Sequence, residues 1–133
     1  MVLAYHVIFS TYGFWLPNDP RGSNSDFVGA KHLLKFGAAT KVRDRRSHAL
    51  DPHNRALRAA AKQSLTYPPV TFTEQQLQAV ARRFARCLQR TNCVIVVCAI
   101  LPQHTHMVVQ RHRYEIEKLI NLMKGDATRQ LAS

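Results

Sequence analysis

Residues 93–110, CVIVVCAILPQHTHMVVQ, decide the fold. The first half, 93–101, is apolar throughout and rich in β-branched residues, so it reads as a strand covered on both faces. Pro102-Gln103 turns the chain. Residues 104–110 (HTHMVVQ) read as the next strand, antiparallel to the one before. Side chains alternate across a strand, so His104 and His106 are expected to project from one sheet face, about 6–7 Å apart at the backbone. Thr105 and Met107 then point to the other face, where helices are expected to pack. Neutral imidazole is a common ligand for divalent metals, and a cation held there polarises a phosphoryl oxygen. The bare His-x-His pattern is a weak signal. Its position, opening a strand after an apolar strand and a proline turn, gives it weight.

Working outward, Thr73-Glu74-Gln75-Gln76 is a capping box upstream of the two strands. Leu77, Val80, Ala81, Phe84, Cys87 and Leu88 follow at helical spacing and form a core stripe. Arg82, Arg83, Arg86 and Arg90 fall on the other faces. Downstream, a second helix is expected from Tyr114, with Ile116, Leu119, Ile120 and Met123 as its stripe. Gly125 suits its C-terminus, although 126–133 stay helix-compatible. Near the N-terminus, 5–11 (YHVIFST) reads as a strand that Gly13 ends. Residues 16–30 are turn-rich, 31–50 are mixed and basic, and 53–65 suit a short helix. Tyr67-Pro68-Pro69 breaks the chain. The order is strand, long insertion with helical content, helix, strand, strand, helix. It matches βαββαβ, the ferredoxin-like split βαβ order, without its last strand. The expected class is α+β: an antiparallel sheet with helices on one face, in one domain over 1–133. The first and third strands of such a sheet are neighbours, which places His6 beside the pair in a second-shell role.

Bulk composition points to a polyanion. Nineteen Lys and Arg oppose eight Asp and Glu, for a net charge of +11. Such an excess self-repels unless a polyanion shares the surface, and nucleic acid is the usual one. The basic residues are not gathered on one amphipathic helix, and no apolar run approaches the roughly 20 residues that span a bilayer. No membrane partner is expected. The N-terminus lacks the marks of a signal peptide, so the expected location is the cytoplasm. Three cysteines without a C-x-x-C pair exclude a disulfide framework and a zinc knuckle, and all three read as small buried hydrophobes. His112, between Arg111 and Arg113, reads as a solvated basic loop. His32, His48 and His53 carry no pattern.

Three stretches resemble the single-tyrosine HUH transposases, the insertion-sequence-200-like and REP-associated enzymes. They are Tyr5-His6-Val7-Ile8-Phe9, the 99–109 stretch AILPQHTHMVV, and 116–128, IEKLINLMKGDAT, with its Lys124-Gly125 pair. The 99–109 stretch is similar to the family's MPNHVHLLV segment and is the most specific. Residues 12–23 (YGFWLPNDPRGS) resemble a subgroup of transposase-like proteins. Thr105 replaces the hydrophobic residue that the family prefers, and a β-branched Thr suits a strand.

The resemblance implies a ferredoxin-like sheet of HUH type and a DNA transposase or single-strand endonuclease that acts on single-stranded or hairpin DNA. His104 and His106 would hold Mg²⁺ or Mn²⁺ as metal ligands, facing the scissile phosphate. A tyrosine would attack, leaving a 5′-phosphotyrosine and a free 3′-hydroxyl, and the covalent step stores bond energy for rejoining. It also implies a homodimer. The family's nucleophilic tyrosine lies on a helix well past the HUH strand, yet no tyrosine follows Tyr114 here. Tyr114 is a weak candidate nucleophile. The last strand and tyrosine helix are therefore expected to be missing, and this fragment is expected to be inactive. Arg43, Arg45, Arg46, Arg111 and Arg113 are candidate DNA-backbone contacts, chosen on charge and loop position. Trp15 or Phe14 is either a base-stacking platform or a core anchor. One alternative is a domesticated, non-catalytic nucleic-acid-binding module. Another is a histidine-pair phosphoesterase or oxygenase, for which neither a second H-x-[ST] repeat nor a placed carboxylate is found.

Overall fold

The computed structural model describes residues 1–22 and 26–133. Residues 23–25, within the turn-rich stretch and the subgroup-like segment, lie outside them. The elements are β1 (Ala4–Ser10), a 3-10 helix (Lys31–Phe36), α1 (Arg55–Gln63), α2 (Glu74–Thr91), β2 (Ile95–Ile100), β3 (His104–Gln110) and α3 (Ile116–Ala132). The class is α+β, as expected. The chain gathers into two compact units, Met1–Ile8 with Thr71–Ser133, and Phe9–Val70.

In the first unit, the capping box forms. The Thr73 hydroxyl accepts from the Gln76 amide, and the Gln76 side chain accepts from the Thr73 amide. The helix stops at Asn92, which adopts the left-handed conformation (φ 54°, ψ 40°). The Asn92 amide donates to Gln89 and the Cys93 amide to Leu88, the paired bonds of a Schellman turn, with Asn where Gly is usual. The chain then enters β2 and, through a tight turn closed by the Leu101 amide on the His104 carbonyl, β3. The sheet order is β1-β3-β2, and β2 runs antiparallel to β3 with His106 opposite Ala99 and Thr105 opposite Ile100. β1 also runs against β3: Leu3 receives the Arg111 amide, while His6 lies beside His106.

Because β3 is central, its alternation is strict. Thr105, Met107 and Val109 are buried, and His104, His106 and Val108 are half-buried on the opposite face. Val80, Phe84 and Cys87 of α2 and Leu119, Ile120 and Met123 of α3 supply the rest of the interior. One expectation fails. β2 is not covered on both faces: it lies at the end of the sheet, and Val96 and Val97 are 62% and 58% exposed. An apolar run reports strand propensity, not the number of neighbouring strands. A register shift between Ile95 and Val97 leaves Val96 without an opposite partner on β3. For the same reason Cys98 is exposed, while Cys87 and Cys93 are buried as expected.

Gly125 does not end α3. The helix continues to Ala132 because the next residues are anchored: Ala127 is buried, and buried Asp126 pairs with Arg90 of α2 and with Arg129. The Arg83 guanidinium adds a second tie, donating to the Gln130 side chain. The basic face expected of α2 is therefore partly engaged with α3.

The Phe9–Val70 unit has its own small core of Leu33, Phe36 and Ala61, with Leu16, Val28 and Leu65 packed on it. Helix α1, capped by Asn54 accepting from the Leu57 amide, falls within the expected 53–65 stretch. The 3-10 helix was not signalled by the mixed composition of 31–50. Gly13 (φ 87°) ends the first strand region, and a Cβ there would come within 2.7 Å of the Pro69 backbone. The Val70 amide donates to the Tyr12 carbonyl and closes this unit. Among the described residues, no helix is long and apolar enough to cross a membrane.

Candidate metal face of the central strand

Strand alternation places both histidines of the pair on one face. The His104 and His106 ring centroids are 4.8 Å apart and nearly edge-on at 71°. His6, from the neighbouring β1, stacks on His106 at 5.8 Å and 26°. Three imidazoles thus stand together on the side of the sheet away from the buried face of β3, and His6 lies where the sheet order expects it. Burial first, and then the nearby His104 and His6, hold the His106 ring below its ordinary pKa. It is therefore neutral at pH 7, the state in which imidazole binds a metal.

Whether this face suits an ion follows from its donors. Two neighbouring imidazoles provide at most part of a coordination shell. Among the described residues, no group of three or more His, Cys, Asp or Glu is disposed to hold a metal ion. Two imidazoles alone would leave most of an ion's coordination positions to other donors. Their nitrogen donors suit Mn²⁺ better than Mg²⁺, which prefers oxygen.

The remaining site residues from the sequence disperse. Arg111 and Arg113 follow the far end of β3, so Arg111 stands about 16 Å along the strand from His106, at about 3.3 Å per residue. Arg113 lies over the Tyr114 ring at 5.1 Å, and Lys118 covers the same ring at 4.2 Å. Tyr114 precedes α3, which begins at Ile116, and its amide donates to His112 Nδ1. His112 is not a solvated loop residue. Its Nε2 lies 2.8 Å from the Thr91 carbonyl, which can only accept, so Nε2 carries the proton and Nδ1 receives the Tyr114 amide. The ring ties the end of α2 to the start of α3.

No family model, curated protein or solved structure matches this chain. The site is therefore argued from its own residues.

In the Phe9–Val70 unit, Arg45 is exposed and Arg43 lies 3.5 Å from Asp26. Arg46 is committed to a two-pronged pair with Asp51 at 2.8 and 2.7 Å. Sequence reasoning saw no pattern at His48, yet its ring bridges Asp44 (2.6 Å) and Asp51 (2.7 Å). Hydrogen bonds from Asp51 and then Asp44 raise the His48 pKa, and the bonds from Arg46 and His48 hold Asp51 down at about 2. Asp44, His48 and Asp51 lie close in sequence, which was the available signal. It yields a local charge clip in which Arg46 is no longer an open phosphate contact.

Proposed function

We propose that this chain is a metal-assisted single-stranded DNA nicking and joining domain of the HUH transposase type, built on a ferredoxin-like sheet. The observation that carries the reading is the shared face of His104 and His106 on the central strand β3, whose opposite face is buried, with His6 of β1 beside them. The element order β-insertion-α-β-β-α supports the fold assignment. The net charge of +11 supports a DNA partner. His104 and His106 would hold Mn²⁺ or Mg²⁺, with His6 steadying the His106 ring from the side. When bound, the ion supplies charge compensation at the scissile phosphate. The protein's own contribution is to present two imidazoles on one face of a rigid strand, so that little reorganisation is needed when the phosphate arrives. A homodimer belongs to the same proposal, and the exposed apolar row Val94, Val96 and Val97 along β2 is the surface that supports it.

A specific observation favours binding without cleavage for this chain. The tyrosine that follows the pair, Tyr114, is packed among His112, Arg113 and Lys118 near the end of β3 away from His104. The chain would then be a nucleic-acid-binding module that needs a tyrosine supplied from elsewhere to react.

The test is binding of a labelled hairpin oligonucleotide with a single-stranded flank, with Mn²⁺ or with chelator. Mn²⁺ is expected to tighten binding, and His104→Ala with His106→Ala is expected to remove that gain while leaving metal-free binding intact. A denaturing gel of the same mixtures reads covalent protein–DNA product, of which none is expected if Tyr114 stays packed away from the pair. Binding indifferent to both Mn²⁺ and the histidines would end the metal reading.

A further inference from the structure

The Phe9–Val70 unit holds a cavity of about 840 Å³ between the 13–21 loop, the 49–53 segment and α1. That volume lies in the range of small-molecule sites. Its wall combines flat rings with cations: Phe14 and Trp15 on one side, Arg21, Arg55, Arg58 and Lys62 around them. Both rings carry a cation, Arg21 over Trp15 at 5.5 Å and Lys62 over Phe14 at 4.6 Å. Among the described residues, two carboxylates, Asp19 and Asp51, share the lining with those four cations.

Two of the cations are held in place. Asp19 is 2% exposed, and it accepts from the Arg21 amide and Nε at 3.0 Å each and from Nη2 at 2.7 Å. Arg58 Nε approaches the same carboxylate at 3.5 Å. Burial opposes ionisation of Asp19, but the bonds and charge of Arg21, and then the charge of Arg58, outweigh it and keep the carboxyl below its ordinary range. His53 holds Arg58 from the other side. Its Nδ1 faces the Asp51 carbonyl, so Nδ1 carries the proton and Nε2 accepts from Arg58 Nη1 at 3.1 Å. Arg55 and Lys62 are the exposed cations of the wall, and neither forms an ion pair among the described residues.

The loop that presents the rings is strained. Trp15 has φ of 53°, a left-handed conformation that a bulky side chain rarely adopts. Strain of this kind costs on the order of 1–3 kcal/mol and persists where surrounding structure enforces it, commonly at ligand sites.

We propose that this cavity is a nucleotide-binding site. A base stacks among Trp15, Phe14 and the Arg21 guanidinium plane, and its phosphate pairs with Arg55 and Lys62. The nucleotide is either free or one unit of a single strand; the recognising chemistry is the same. None of the strand histidines takes part, so this site and the metal reading stand or fall separately.

Trp15 is the sole tryptophan of the chain, so its fluorescence reports on this cavity alone. The experiment titrates the whole chain with AMP, with hexadeoxyadenylate, with adenosine and with inorganic phosphate, in chelator. Calorimetry accompanies each titration. Saturable quenching by AMP, with heat to match, assigns a free nucleotide. Quenching by the oligonucleotide but not AMP assigns a unit of a strand. In either case Arg55→Gln with Lys62→Gln weakens binding about tenfold or more, as does Lys62→Gln alone to a smaller degree. Circular dichroism checks that these surface variants stay folded. Three results overturn the proposal: no quenching and no heat with either nucleotide probe; inorganic phosphate binding as well as the nucleotides; or affinity unchanged in both variants. The His104→Ala, His106→Ala variant is expected to bind AMP or the oligonucleotide as the parent chain does.

Discussion

Asp126 offers a sharp test of how α3 is held to α2. Its side chain is 8% exposed, whereas its partners Arg90 and Arg129 are 58% and 73% exposed. Burial disfavours the charged carboxyl, but the Arg129 hydrogen bond and the Arg90 charge outweigh it, so the group stays ionised below its ordinary range. The asymmetry in burial makes the two halves of the cluster unequal. Asp126→Ala releases two guanidiniums that already reach water, so only partly screened pairs are lost, about 1–2 kcal/mol. Arg90→Ala with Arg129→Ala strands a buried anion, which costs about 3–5 kcal/mol at pH 7. Adding Asp126→Ala to that double variant removes the stranded charge and restores part of the stability. In the double variant the carboxyl pKa rises above its unfolded value, so stability is regained as pH falls through that raised pKa. Urea unfolding followed by helical circular dichroism, at pH 7 and pH 4, measures all four chains. The reasoning is refuted if the triple variant is no more stable than the double, or if the double loses less than Asp126→Ala.

Other expectations are simpler. Phe84 is 4% exposed in the helix interface, so Phe84→Ala should cost about 3–5 kcal/mol in the same urea assay. Asn92→Gly should leave stability equal or raised, while Asn92→Val should lose about 1 kcal/mol or more, because the left-handed turn excludes β-branched residues. His106 should titrate below 6.5 by NMR, and His6→Phe should move it only part of the way back, since burial is the larger cause. His48 should titrate above 6.5, because the carboxylates of Asp51 and Asp44 accept from its ring. Its clip is fully formed below 6.5 and is lost as pH rises through the raised pKa, while the Asp51 contribution, complete above 3.8, fades only as pH falls toward about 2. Ring proton shifts of His48 across that range give the measurement.

Some of this was legible in the sequence because local rules govern it. The period of two in HTHMVVQ gave the His face and the opposite-facing, buried Thr105 and Met107. The capping box at Thr73 was equally local. The misreadings involve distant partners. An apolar β2 looks alike in the centre or at the edge of a sheet. Gly125 looks like a stop until Asp126 finds Arg90 across the helix pair. Arg21, Arg55, Arg58 and Lys62 gather around Trp15 only because the loop and α1 fold onto one cavity, and no short window contains them.

The position of β1 has a kinetic consequence. β2 and β3 are joined by three residues, so their hairpin can close in about 1–10 μs. The partner that β1 needs lies near the other end of the chain: the Leu3 carbonyl waits for the Arg111 amide. Closing so long a loop costs more entropy than closing the three-residue hairpin, so β1 is expected to be the last strand to join. His6 arrives with it, and a nascent or partly unfolded chain would carry the His104–His106 pair without its third ring.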